Sequence, residues 1–386
     1  MKKVDLNLYK FDGLEHDAVA DLSTLNAEDK EQLLMAGVDV DSEETSGTFL
    51  QVDHSNVHCG STNKDVEVMD IKKALEKYDG LPDYYFNLVD KDKDEFTKSA
   101  AENLHGGYFV RTKKGAKIKA PVQSCLFLKA EQSGQNIHNI IVVEEDSELQ
   151  IITGCAAAHG EFTGAHFGIS EIYIKKGGKL TFTMVHNWGE NVTVRPRTVG
   201  VVEEGGVLLN NYVLLKKVKD VQSYPTIFLN GEGAVARFNS VLVAPEGSHI
   251  DTGTRIIMNA PNTRGEIISR TITTGGTIIS RGHIQGNFAP ARGHLECQGL
   301  LLGGGIIHAI PELEATVEGV ELSHEAAVGK IAQEEIEYLM ARGMDEEEAT
   351  STIVRGFLNV DDMGLPKKLQ IEIDKQIAEL DSSDAM

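Results

Sequence analysis

From about residue 105 onward, short β-branched runs alternate with polar or glycine turns, and the turns recur at a fixed interval. Gly178, Gly206 and Ala234 lie 28 residues apart, Gly247 follows Gly233 by 14, and Gly276 follows Gly247 by 29. A period accompanied by its half-period is what stacked coils produce. Each coil holds a few strands whose side chains alternate in and out, and stacking buries the inward row against the coils above and below. Hairpins of an antiparallel sandwich or barrel also space their turns regularly. The period favours a mainly β fold with a parallel β-helix core over residues 105–311.

The flanks read differently. Residues 1–104 are acidic and mixed, with helix-like stretches at 22–37 and 68–78. Ser23 or Asn26 is placed to cap the first, and Gly37 to stop it. Residues 312–386 read as a helical domain. SHEAAVGKIAQEEIEYLMARGMDEEEATSTIVRGFL has the pattern of helix, turn, helix, with Ser323 as N-cap, Gly343 as stop and Asp345 with Glu348 as a capping-box variant. A last helix is expected over 366–380. A helical hairpin there would cap the open end of the solenoid and present a surface to a partner.

Net charge is −22 with only short lysine pairs to offset it, which opposes a nucleic-acid backbone. No run reaches the apolar length of a membrane span, and MKKVDLNLYKFDGLEHD lacks the apolar core of a secretory signal. The expectation is a cytoplasmic protein that binds neither nucleic acid nor membrane. The four cysteines, Cys59, Cys125, Cys155 and Cys297, are widely scattered, which favours free thiols over a disulfide framework.

The richest stretch for chemistry is HLECQGLLLGGGIIHAIPELEATVEGVELSHEAAVGKI, residues 294–331. A Cys297 thiolate would be a soft ligand, suited to iron–sulfur species. Strand alternation puts Cys297 on the side of Leu295, opposite His294 and Glu296, which weakens a ligand set made of those three. Core packing is the simpler role for that thiol. His324 and Glu325, read at a helix start, are either metal ligands or a solvent-facing cap, and His308 is either a ligand or a structural histidine. Cys155 lies in ITGCAAAHGEFTGAH, where small residues give access to a thiol and His159 and His166 are close in sequence. DHSNVHCG places His54, His58 and Cys59 at a loosely metal-like spacing. There is no G-x-x-x-x-G-K-[ST] phosphate loop and no C-x-x-C pair, so neither ATP hydrolysis by that loop nor a ferredoxin-type resident cluster is expected.

Taken together, ELSHEAAVGKIAQEEIEYLMARGMDEEEATSTIVRGFL, the preceding HLECQGLLLGGGIIHAIPELEA and the upstream ITGCAAAHGEFTGAHFGISEIYIKKGGKL resemble the SufB/SufD family of iron–sulfur cluster assembly scaffolds, over roughly residues 100–365. The resemblance implies a right-handed parallel β-helix flanked by helical parts and pairing with a second family member through the β-helix. It also implies docking of an ABC-type ATPase, SufC, on the C-terminal helices. Cys155 falls at the SufB cysteine associated with sulfur entry, and His324 with Glu325 at the family's histidine and adjacent acidic residue. The SufB cysteine a few residues ahead of the segment that aligns with Pro311 has no counterpart, its position being Gly305.

These matches imply a non-enzymatic, ancestral-type SufBD scaffold that works as a homodimer. It would build a transient iron–sulfur cluster, receiving sulfur from a donor and passing product to apoproteins. Its metal ligands would come from Cys297, His324, Glu325, Glu296 and His308. Two other readings stand beside it: a structural subunit that ligates no iron, and a β-helix enzyme acting on carbohydrate.

Overall fold

The structure, a computed structural model, describes residues 3–358 apart from 43, 159 and 161, together with 367, 370 and 371. Among the described residues the strands form a ten-stranded and an eleven-stranded sheet. The first sheet is a stack of parallel strands, from Gly47–Val52 through Val122–Leu128, Glu148–Ala157, Lys179–Asn187, Val207–Leu214, Val235–Pro245, Thr263–Thr274 and Ala291–Leu301 to Val320–Gly329. The second stacks Ser133–Val143, Thr163–Ile174, His249–Met258, Thr277–Gly286 and Ile306–Ala315 with shorter strands between them. Sequence neighbours lie in opposite sheets and spatial neighbours lie a full coil apart, which is the parallel β-helix expected from the turn period.

Alternation explains why these segments stack. In Thr277–Gly286 every second residue is buried, and Ile278 and Ile284 join one continuous core with Leu208, Phe238, Ile256 and Leu295. Each such aliphatic side chain contributes about 1.5–3 kcal/mol on burial. At the turns, Gly115, Asp146, Gly177, Gly205, Gly233 and Asn262 form a column of left-handed residues, with φ between 55° and 74°. Each sends its N–H to a carbonyl of the next turn: Gly115 to Glu145 (2.8 Å), Asp146 to Lys176 (2.9 Å), Gly177 to Glu204 (2.8 Å), Gly205 to Glu232 (2.8 Å), Gly233 to Pro261 (3.0 Å) and Asn262 to Pro290 (2.5 Å). The left-handed residue is thus the one just before Gly178, Gly206 and Ala234, and the 28-residue spacing is the length of a coil.

Two boundaries shift. The N-terminal region is not merely helical: Gly47–Val52 pairs in parallel with Val122–Leu128 and starts the first sheet. At the other end the solenoid continues to Gly329. Residues 320–329, expected as the start of a helix capped by Ser323, are a strand pairing in register with Ala291–Leu301. Helix propensity in this Glu- and Ala-rich stretch is overridden by the coil beneath it, which offers both a ladder and an apolar row.

Five α-helices decorate the described solenoid. Helix α1 (Ala27–Met35) is capped by Asn26, whose side chain accepts from Asp29 N (2.8 Å), and Gly37 follows at φ 86°. Helix α2 (Ile71–Lys77) is capped by Asp70, the last residue of a strand that takes up the beginning of the helix expected at 68–78. Helix α3 (Glu95–Glu102) starts from a capping box at Asp94 and Thr97. Helix α4 (Gln333–Met340) follows Ala332. Helix α5 (Glu346–Leu358) begins with the expected reciprocal pair, Glu348 N to Asp345 Oδ1 (2.8 Å) and Asp345 N to Glu348 Oε2 (3.2 Å).

The α4–α5 hairpin does not cap the open end of the solenoid. Val354 and Leu358 pack on Val185, Val213, Val241 and Ile272, on the outer wall of the first sheet. Of the last helix expected at 366–380, only residues 367, 370 and 371 are among those described.

The turn column gives a clean stability test. A Cβ on Gly205 would meet no atom within 4 Å. Gly205→Ala should therefore lose only the left-handed backbone preference, about 1–2 kcal/mol in urea unfolding, with Gly205→Asn losing less. At Gly253 an added Cβ would run into the carbonyl oxygen of Arg281 on the next coil. Gly253→Ala should cost clearly more than Gly205→Ala.

Candidate metal and sulfur sites

Register assigns each reactive side chain to a face. In the first sheet Thr153, Met184, Tyr212, Ser240, Ser269, Cys297 and Ala326 are successive Cα partners and form one inward column. Cys297 is 3% exposed and belongs to the solenoid core. Ser280, reaching across from the second sheet, is hydrogen-bonded to it and also to Ser269 (Oγ to Oγ 3.0 Å). Burial raises the Cys297 thiol, with the Ser280 hydroxyl partly offsetting that and Glu296 adding to it. Among the described residues its column beyond this thiol contains only the exposed methyl group of Ala326.

His324 lies on a strand, not at a helix start. Its Cα partner is Leu295, which is fully buried, so both side chains belong to the inward face. His324 is exposed because no further coil covers it among the described residues. Cys297 and His324 are therefore diagonal neighbours on one face of adjacent strands.

The other expected ligands are elsewhere. Glu296 and Glu325 are Cα partners on the outward face, where Glu296 lies 3.9 Å from Arg270. His294, also outward, bonds through Nδ1 to Ser323 Oγ (2.8 Å). His308 belongs to the second sheet, between the inward Ile307 and Ala309, and is exposed on the outside. The five residues thus divide among three surfaces. Among the described residues no three His, Cys, Asp or Glu groups gather as a metal set.

Cys155 is buried inside the solenoid several coils earlier, with His186 as its Cα partner on the next strand. Burial holds its thiol well above the ordinary value, and Cys125 adds to this. Around it sequence reasoning missed three side chains. His186 Nδ1 bonds to Tyr212 OH (2.9 Å), and Trp188 lies between the rings of His166 and His186 at centroid distances of 5.1 and 5.4 Å. The 31-residue step from Cys155 to His186, one coil, was the signal available in the sequence. His159 lies outside the described residues. Between the coils of Cys155 and Cys297 the interior holds a cavity of about 70 Å³, lined by Met184, Asn210, Tyr212, Ser240, Thr252 and Ser269 among others.

The segment with metal-like spacing does not converge. His58 bonds to Val19 O (3.0 Å) and Thr48 Oγ1 (2.9 Å), His54 stacks on His105 at 3.7 Å, and burial pushes the Cys59 thiol up to about 11.

The family model for the SUF system FeS cluster assembly SufBD core domain matches residues 126–357. The chain belongs to the SufBD family. An iron-sulfur cluster assembly SufBD family protein of Archaeoglobus fulgidus is 51% identical over 350 residues, covering 90% of this chain and 94% of that protein. One from Methanothermobacter thermautotrophicus is 44% identical over 382 residues, covering 97% and 93%. The iron-sulfur cluster assembly protein SufB of Bacillus subtilis is 30% identical over 362 residues, covering 92% and 76%. This SufBD protein carries its matched core on the coils that contain Cys155, Cys297 and His324, and no helix among its described residues is long and apolar enough to cross a membrane.

The interior histidines of this SufBD protein make it acid-sensitive. Burial pushes His166 and His186 down from 6.5 to about 3, so the fold keeps both neutral. Between those values the unfolded chain binds one more proton per imidazole. The stability is fully present above about pH 6.5 and is lost as pH falls toward 3, by about 1.4 kcal/mol per pH unit for each ring. Between pH 7 and pH 5, His186→Gln should lose about 2 kcal/mol less than wild type in urea unfolding.

Proposed function

We propose that this chain is a cytoplasmic, non-enzymatic scaffold subunit that builds a transient iron–sulfur cluster between two copies of itself, with an ABC-type ATPase docked on its helical hairpin. The observation that carries the reading is the unfinished last coil. Ile306–Ala315 and Val320–Gly329 each pair on one side only among the described strands. They leave exposed Leu313 and Val328, two side chains whose register puts them on the inward face, together with Ile306. An apolar face and two long unpaired edges invite a partner, and a two-fold axis lets the same surface serve both copies.

Such pairing brings together two copies of the inward His324 and of Cys297 beneath Ala326. Four protein ligands of mixed softness follow from two residues per chain. Iron would stabilise the thiolate that burial disfavours. Cys297 and His324 are the primary ligands in this reading, while Glu296, Glu325 and His308 serve only if the outer face of the partner reaches them. Weak imidazole ligation suits a cargo that must later leave for recipient apoproteins. Cys155 accepts sulfur from a donor, and the column from Thr153 to Cys297, with its cavity, is the route inward. Exposed Tyr338 and Met340 on α4 offer the ATPase an apolar contact, and α5 connects that contact to the wall of the solenoid.

Anaerobic reconstitution with iron and sulfide tests the scaffold reading. Wild type should bind iron as a dimer. Cys297→Ser and His324→Ala should each retain less than about half of it, since each removes two of four ligands from the two-fold site. Leu313→Lys should yield a monomer without cluster. Iron uptake unaffected by all three changes would favour a structural subunit. A Tyr338→Asp, Met340→Asp double variant should fold but no longer co-purify with the ATPase; unchanged co-purification would remove α4 from the docking surface.

A further inference from the structure

Along the outside of the solenoid, cations pair with carboxylates one coil away: Lys175 with Glu203, Arg281 with Asp251, Arg237 with Glu266 (3.1 Å) and Arg292 with Glu321 (3.0 Å). Arg264 departs from this pattern. Its Cα partners are Val235 on one side and Arg292 on the other, and its exposed guanidinium has no ion-pair partner among the described residues. Like charges directly opposite on one face of a ladder are destabilising, and an anion bound between them reverses the sign. Both arginines border a groove of about 870 Å³ on the outer face of the first sheet. Leu209, Arg237, Glu266, His294 and Ser323, successive Cα partners, run along it. The groove therefore crosses five strands, about 19 Å at the ~4.8 Å spacing of neighbouring strands. Three guanidiniums face two carboxylates there, an excess of positive charge on a chain whose net charge is −22.

We propose that this groove binds a small multivalent oxyanion, a polycarboxylate or a polyphosphate, with Arg264 and Arg292 bridging two of its charged groups and Arg237 holding a third from the diagonal. Planar guanidinium forks bind carboxylate and phosphate oxygens two at a time. The ladder sets the forks of Arg264 and Arg292 about one strand spacing apart, so a ligand with two charged groups engages both while a monovalent ion meets one. The ion pairs that Arg237 and Arg292 already make are solvent-exposed and yield to a better acceptor at little cost. Leu209 and Val235 line the same groove and offer apolar surface to the body of the ligand. These strands present Cys297 and His324 on their other face, so the anion site does not rest on the role of those residues as iron ligands.

Calorimetric titration of the full chain with citrate and, separately, with pyrophosphate, at fixed ionic strength, tests the site. Wild type should bind one anion per chain and gain melting temperature as it does so. Arg264→Gln should bind about tenfold more weakly, as expected for the loss of one charge-assisted contact. Without the anion it should melt no lower than wild type, because it relieves the opposition to Arg292. Lys176→Gln removes an equal charge, paired with Glu204 on a distant turn, and should bind as wild type does. Tighter binding of citrate would assign a polycarboxylate ligand, and tighter binding of pyrophosphate a phosphate one. Equal affinity in wild type and Arg264→Gln, or equal weakening by Lys176→Gln, would overturn the site. So would failure of both small anions to bind, whether or not a hexaglutamate peptide does.

Discussion

In-register parallel stacking governs the placement of every reactive group in this protein. Each coil hydrogen-bonds to the next through its backbone, so a residue's column and face are fixed by counting coil lengths from any other. The turn residues hold that count: six left-handed positions in one column, each with its N–H group bonded to the next turn, leave little freedom for a slip. A one-residue shift would turn the core row of a strand outward and expose Leu295 and Cys297 together. The apolar core and the position of the thiols therefore depend on the same constraint.

The stack separates chemistry by height. Cys155 lies deep in the solenoid among His166, His186, Trp188 and Tyr212, groups that burial keeps neutral. Cys297 lies one coil from the end, still buried, with His324 diagonal to it on the last strand. Seryl, threonyl and tyrosyl side chains and a small cavity occupy the interior between them. Such an interior is poor for free ions and suited to a neutral or covalently held sulfur. The end coil, open and apolar, is where charge and metal would be accommodated with the help of a second chain.

Much of this was legible in the sequence. Turn spacing pointed to the stacked coils, and alternation placed Cys297 with Leu295 and against His294 and Glu296, as the burial pattern has it. The reading failed at residues 320–329, where local helix signals around Ser323 compete with a ladder partner 29 residues earlier that short-range patterns do not register. His324 and Glu325, adjacent in sequence and read together, consequently face opposite ways. The α4–α5 hairpin was found, but not the wall it covers, because the valines beneath it are spread over three coils. Trp188 and His186 escaped notice for the same reason: their relation to Cys155 appears only when the sequence is folded at the coil length.

The central claim is that two copies meet at their last coils so that Cys297 and His324 of each become iron ligands. X-ray absorption at the iron edge of the reconstituted dimer tests it most directly. The account predicts protein thiolate sulfur and the multiple-scattering pattern of imidazole in the iron coordination shell, the former lost in Cys297→Ser and the latter in His324→Ala. An iron shell without imidazole, or one that neither substitution alters, would contradict it.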